Sequence, residues 1–234
     1  MWRIKKLYFL SPFILQNILI WVPARTLFRL FARYEIIGRE NLKNIGSSAI
    51  FATNHSSELD PILVTDTLPF LSKFIPMFYV SAGKELFKSK EVFGWKSIFY
   101  GGIFFNALGA YPIYKGTGDF DKALRNHIEI LNDGGSLTIF PEGRRNKEIK
   151  WEEARPGVAH LLLRTKRPVV PVYIGGSHRT KLWEFFSFRR RYRVVFGEPI
   201  HAEDLENQSF EKENLISVSR DIMKRIKKME EKHA

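Results

Sequence analysis

Residues 48–71 read SAIFATNHSSELDPILVTDTLPFL. The run from Ser48 to Thr53 carries no charge and sits between Gly46 and Asn54, which predicts a short buried strand. Asp60-Pro61 then predicts the start of a helix reaching about Leu71, because a proline early in a helix lacks only an N–H that the first turn leaves unpaired anyway. Between the two lies Asn54-His55-Ser56-Ser57-Glu58-Leu59-Asp60. An imidazole and a carboxylate thus stand five residues apart at a strand-to-helix turn, the place where α/β folds present functional groups.

Working outward, the same alternation continues. Strands are predicted at Tyr34–Gly38, Pro76–Ser81, Tyr111–Tyr114, Ser136–Phe140, Val169–Ile174 and Arg193–Phe196. Helices are predicted at Lys84–Asn106 with glycine interruptions, Gly118–Asn132, Pro156–Thr165 and Phe210–Lys232. Alternation of this kind predicts an α/β fold: a mixed, largely parallel sheet flanked by helices. Pro171 inside the fifth of those strands suggests a sheet edge or a special backbone position, since proline cannot donate to a ladder. No linker divides the chain, so residues 34–234 read as one domain preceded by an N-terminal segment, residues 1–33.

That segment is apolar. From Leu7 to Val22 twelve of sixteen residues are apolar or aromatic, the exceptions being Ser11, Pro12, Gln16 and Asn17. As a helix it spans roughly 24 Å, short of the ~30 Å hydrocarbon core, so docking in the interface is favoured over a span. Arg25, Arg29 and Arg33, at i, i+4 and i+8, predict a cationic stripe on one helical face beside Leu and Phe, as in an interfacial helix. A signal peptide and a core-packed helix are the competing readings.

Charge points the same way. Thirty-seven Lys and Arg against 25 Asp and Glu leave +12, which biases the surface toward nucleic acid, anionic membrane or phosphorylated small molecules. The segment Arg179–Arg193, with cations interleaved among Trp183, Phe185, Phe186, Phe188 and Tyr192, suits anionic lipid. A core cover and a single-stranded nucleic-acid surface share that composition. No recognition-helix, RNP or OB-like signature accompanies it, so nucleic acid is not an expected partner. With no cysteine, disulfides, thiolate metal sites and a cysteine nucleophile are excluded.

His55 and Asp60 form a pair in which a carboxylate can orient an imidazole acting as general base; the same residues also read as a helix-capping aspartate beside a hydrogen-bonded loop histidine. A second group, Phe140-Pro141-Glu142-Gly143-Arg144-Arg145, brings a carboxylate and guanidinium forks to a strand end, a donor geometry suited to phosphate. Gly109-Ala110-Tyr111-Pro112-Ile113-Tyr114-Lys115 ends in another cation. The other histidines, at 127, 160, 178, 201 and 233, show no ligand spacing, and no metal is expected.

These blocks, NHSSELD at 54–60, GAYPIYK at 109–115, FPEGRR at 140–145 and VVPVYI at 169–174, resemble in order and spacing the four motifs of the glycerolipid acyltransferases, most closely the 1-acyl-sn-glycerol-3-phosphate acyltransferases. The resemblance covers roughly residues 35 to 200. It implies that His55 is the general base for the acceptor's sn-2 hydroxyl and that Asp60 orients it. It further implies that Glu142 and Gly143 line the acceptor site, that Arg144 binds the acceptor phosphate, and that Lys115 and Lys84 add cations. Lys115 stands where the family usually has arginine, which offers a point charge instead of a fork. The resemblance also implies acyl-CoA or acyl-carrier protein as co-substrate with no bound cofactor, a lysophospholipid acceptor, and a peripheral or monotopic place on the cytoplasmic face of the inner membrane. With no cysteine and no G-x-S-x-G elbow, attack by the acceptor hydroxyl on the thioester would be direct.

Overall fold

The computed structural model describes residues 2–31, 33–57, 59–81, 106–114, 116, 118–146, 151–178 and 191–233. The expected helix over 84–106 lies outside these apart from its last residue, as do Lys84, Lys115 and residues 179–190 of the aromatic-basic segment.

The elements follow in the order α1 (Trp2–Leu15), a π-helical stretch (Gln16–Trp21), α2 (Val22–Phe31), β1 (Arg33–Ile37), β2 (Ile50–Thr53), α3 (Asp60–Thr67), β3 (Met77–Ser81), β4 (Ala110–Pro112), α4 (Phe120–Ala123), α5 (Arg125–Asn132), β5 (Ser136–Ile139), α6 (Gly157–Thr165), β6 (Val169–Gly175), β7 (Arg191–Phe196) and α7 (Lys212–His233). The seven strands form one sheet in the order β1-β7-β6-β2-β5-β3-β4. All neighbours are parallel except β6 and β7, so β1 and β7 run against the other five. The sheet is therefore mixed and largely parallel, flanked by helices.

Two apolar layers cover the sheet, and strand side chains alternate between them with the period of two that a pleated strand imposes. Ile50 and Ala52 of β2, Leu137 and Ile139 of β5, and Val169 and Tyr173 of β6 meet α5, α6 and α7. Phe51, Val170, Val172, Ile174, Val194 and Phe196 face the other way, onto Leu63, Val64 and Leu68 around α3. Strands buried on both faces explain the uncharged runs in the sequence.

Pro171 lies in an interior strand, between β2 and β7, not at an edge. The carbonyl of Pro171 accepts the Gly197 N–H at 2.8 Å. A strand residue's N and C=O point the same way, so the missing N–H faces Gly197, just past the last residue of β7, and no ladder bond within the sheet is lost. Two helices are shorter than expected: α3 stops at Thr67, and the predicted 118–132 helix is divided at Leu124 into α4 and α5.

The N-terminal segment is built onto this body by its polar residues. Gln16 is fully buried; its Oε1 accepts the Met77 N–H at 2.7 Å and its Nε2 donates to the carbonyls of Met77 and Leu108. The side-chain amide thus supplies a peptide-like partner to the start of β3. Phe9 packs edge-to-face on Phe78 with ring centroids 5.2 Å apart. The expected cationic stripe does not form: Arg33 belongs to β1, and Arg25 donates to the carbonyls of Asp66 (3.0 Å) and Leu68 (3.1 Å) at the end of α3, where a cation meets the negative pole of the helix. Outward instead face Leu10, Ile14, Ile18 and Val22, exposed by 50%, 43%, 60% and 50%. The wider π turn lets residues four apart line up along this stripe. Among the described residues no helix is long and apolar enough to cross a membrane.

Candidate active site

Because β2, β3, β4, β5 and β6 are parallel, their C-terminal ends share one rim of the sheet. The loop after β2 carries His55, the loop after β5 carries Glu142, Gly143 and Arg144, and the end of β6 carries Ser177. In the sheet β2 lies between β5 and β6, so these three loops are immediate neighbours. The chain leaves β2 for α3 on one face and β5 for α6 on the other. Diverging connections of this kind open a crevice at the strand ends.

His55 occupies that crevice. Its Nδ1 lies 3.0 Å from Asp60 Oδ2, and the same oxygen accepts the backbone N–H groups of Ser56 (2.7 Å) and Ser57 (2.8 Å). Asp60 is fully buried and is the first residue of α3, but its carboxylate reaches back into the loop instead of capping the helix. The capping reading is thereby set aside. A carboxylate on Nδ1 holds the proton there and leaves the Nε2 lone pair as the basic position. The imidazole is 18% exposed and stacks on Phe140 with ring centroids 3.9 Å apart.

The loop is fixed on both sides. Asn54 pairs its amide with Ile174, accepting the N–H at 2.8 Å and donating to the carbonyl at 3.0 Å, which extends the β2–β6 ladder by one side chain. Ser56 Oγ and Ser177 Oγ are 2.9 Å apart. Toward β5, the His55 N–H donates to Glu142 Oε1 at 3.0 Å and the Asn146 N–H donates to the His55 carbonyl at 3.1 Å. Asn146 Nδ2 also donates to Glu142 Oε2. Glu142 is only 2% exposed; burial raises its pKa, and the His55 N–H and the Asn146 amide oppose that rise.

Of the residues predicted from sequence, the structure brings His55, Asp60, Glu142 and Gly143 together and sets Arg144 on the outer side of the same loop. Glu142 turns both oxygens onto the histidine loop. Gly143 has φ +68, and a Cβ there would collide with Nε and Cδ of Arg155, so both conformation and space call for glycine. Arg144, 56% exposed, donates to Glu153 Oε2 at 2.5 Å. Lys115 and Lys84 lie outside the described residues. Sequence reasoning missed Asn146, Ser177 and Arg155, which reach the site through hydrogen bonds and packing contacts that no motif spacing encodes. Among the described residues no three His, Cys, Asp or Glu side chains are grouped as metal ligands.

The arrangement can take a proton from a bound hydroxyl at Nε2 and, lacking cysteine, offers no thiol to carry an acyl group. A His–Asp pair at the strand ends of such a sheet is compatible with many transfer reactions, and comparison with known proteins gives the class and the family. Residues 33–175 match the Acyltransferase family, and the chain belongs to it. It is 26% identical over 200 residues to the 1-acyl-sn-glycerol-3-phosphate acyltransferase of Bacillus subtilis, covering 85% of this chain and 88% of that protein. It is 27% identical over 199 residues to the protein of the same name from Borreliella burgdorferi, covering 83% and 71%. Against chloroplastic LPAT1 of Arabidopsis thaliana the identity is 24% over 198 residues, and the match spans only 50% of that longer protein. The crystal structure of the 1-acyl-sn-glycerophosphate acyltransferase PlsC from Thermotoga maritima superposes with a TM-score of 0.54 at 20% identity, covering 87% of this chain and 76% of that one, which shows a common fold.

Proposed function

We propose that the protein transfers a fatty acyl chain from acyl-CoA or acyl-carrier protein to the sn-2 hydroxyl of 1-acyl-sn-glycerol 3-phosphate, giving phosphatidic acid. The observation that carries the reading is the His55–Asp60 pair at the crevice, with Nδ1 bound to a buried carboxylate and Nε2 left for substrate. His55 Nε2 removes the hydroxyl proton as the oxygen adds to the thioester carbonyl. The tetrahedral adduct then collapses, breaking the C–S bond, and the imidazolium returns its proton to the departing thiolate. Asp60 holds the tautomer and balances the transient positive charge. Arg144 serves the acceptor phosphate once it exchanges Glu153 for it, with Lys115 and Lys84 as further cations.

The substrate is a lipid, and the apolar stripe of Leu10, Ile14, Ile18 and Val22 gives the enzyme a face for the bilayer. Gln16 points inward, to β3, while Leu10, Ile14, Ile18 and Val22 point out, an arrangement unlike that of a soluble surface helix. A monotopic enzyme on the cytoplasmic leaflet has its thioester donor and its acceptor on the same side. The test is a panel of lysolipid and glycerol 3-phosphate acceptors with one acyl-CoA, run on the wild type and on His55→Ala. The expected result is preference for 1-acyl-sn-glycerol 3-phosphate and a loss of roughly 10²–10⁴-fold in kcat for His55→Ala, the range for a general base. Wild-type turnover in His55→Ala overturns the mechanism, and preference for a neutral lysolipid overturns the acceptor.

A further inference from the structure

We infer that Asn146 is a positioning residue for catalysis: with Glu142 it closes a clamp on the peptide backbone of His55, so that the base is held by the β5 loop as well as by Asp60. This rests on the assignment of His55 as the base. Four contacts carry it. The two backbone groups of His55 are both taken by this clamp, the N–H by Glu142 Oε1 at 3.0 Å and the C=O by the Asn146 N–H at 3.1 Å. The Asn146 side-chain amide then joins the second oxygen of Glu142, so the two residues that grip His55 also grip each other. Phe140, two residues before Glu142, supports the imidazole face. One short loop thus sets the height, tilt and ring plane of the imidazole, while Asp60 sets its rotation and tautomer.

The chemistry of the clamp is specific. Both groups meeting Glu142 are N–H donors, so the clamp favours a carboxylate; protonation at one oxygen sets an O–H against an N–H and weakens that side. Burial works against that ionised form, and the Asn146 amide is one of the two hydrogen bonds that favour it. Asn146 therefore acts twice: directly, through its N–H on the His55 carbonyl, and indirectly, by keeping Glu142 an acceptor for the His55 N–H. The titratable groups facing Glu142 among the described residues are His55, on the loop after β2, and Asp60, at the start of α3. A base misplaced by about 1 Å costs on the order of 10²-fold in rate, so loss of one side of the clamp is read in kcat and not in acceptor binding.

The experiment uses the full chain in mixed micelles of lysolipid acceptor and detergent with acyl-CoA, comparing wild type, Asn146→Leu, Asn146→Ser and His55→Ala. Asn146→Leu keeps the volume and the backbone N–H but removes the side-chain donor. It is expected to lose about tenfold or more in kcat with KM for both substrates within about twofold, and to move the acid limb of the pH–rate profile toward neutral pH. Asn146→Ser retains a hydroxyl donor for Glu142 and is expected to recover most of kcat and the wild-type acid limb. A purely structural role would leave the acid limb in place, and wild-type kcat with an unmoved profile in Asn146→Leu overturns the inference. So does equal damage in Asn146→Ser, which also decides the matter if Asn146→Leu does not fold. If His55→Ala retains turnover, the base assignment falls and this inference with it. If His55→Ala is inactive while Asn146→Leu is normal, only the inference falls.

Discussion

At the scale of single residues, the arginine that the motif offers to a phosphate is engaged by another residue. Arg144 and Glu153 form an exposed ion pair, which is worth little to stability but sets what the guanidinium meets before substrate arrives. In the proposed role, substrate phosphate and Glu153 compete for the same fork, so substitutions of Arg144 and Glu153 are expected to act in opposite directions. Arg144→Ala raises KM for the phosphorylated acceptor severalfold with little change in kcat. Glu153→Gln frees the guanidinium and lowers that KM. Steady-state kinetics at fixed acyl-CoA checks both, and parallel changes in the two variants would refute a phosphate role for Arg144. The carboxylate of Glu142 is committed elsewhere, since it is buried, raised in pKa by that burial, and spent on the His55 N–H and Asn146.

At the scale of elements, the N-terminal helical segment has two faces, one packed on the sheet and one exposed. Gln16 serves the fold. Replacing it by leucine leaves the Met77 N–H and carbonyl without their side-chain partner, at a cost of about 3 kcal/mol for two buried polar groups, which a lowered thermal or denaturant midpoint would register. The outward stripe has no such part. Changing Leu10, Ile14, Ile18 and Val22 together to serine is expected to leave the midpoint nearly unchanged and to weaken sedimentation with anionic liposomes by more than tenfold, since each buried aliphatic side chain contributes roughly 1.5–3 kcal/mol. Unchanged liposome binding would move the anchor to another surface. The same segment also reaches the helix that carries Asp60, because Arg25 holds the C-terminal end of α3, whose first residue is Asp60.

At the scale of the whole molecule, stability on the acid side is expected to depend on a histidine far in sequence from the proposed base. His127 on α5 is fully buried, its Nε2 lies 3.1 Å from the Tyr111 carbonyl of β4, and burial lowers its pKa to about 4. Unfolded histidine binds its proton near pH 6.5, so between pH 6.5 and 4 the unfolded state holds the extra proton and folding stability falls as pH falls. His127→Gln, which retains a donor toward Tyr111, is expected to flatten that slope, as measured by urea midpoints across pH 4 to 7. An unchanged slope would place the acid sensitivity elsewhere. The strands and the site differ in how far they could be read in advance. All seven strands were legible, β2, β5 and β6 as uncharged runs buried on both faces and the others as short β-prone runs bounded by turn residues, and His55–Asp60 was legible because one turn holds both. Asn146, Ser177 and the inward-facing Gln16 were not, since each acts through partners distant in the chain. The amino-acid sequence by itself determined the alternating α/β order, the His–Asp pair and the absence of a thiol nucleophile, all local in the chain. Only the tertiary structure decided that β2 lies between β5 and β6, that Glu142 faces the histidine loop and that Arg25 faces a helix end, because non-local pairing and burial choose which side of each residue meets which neighbour.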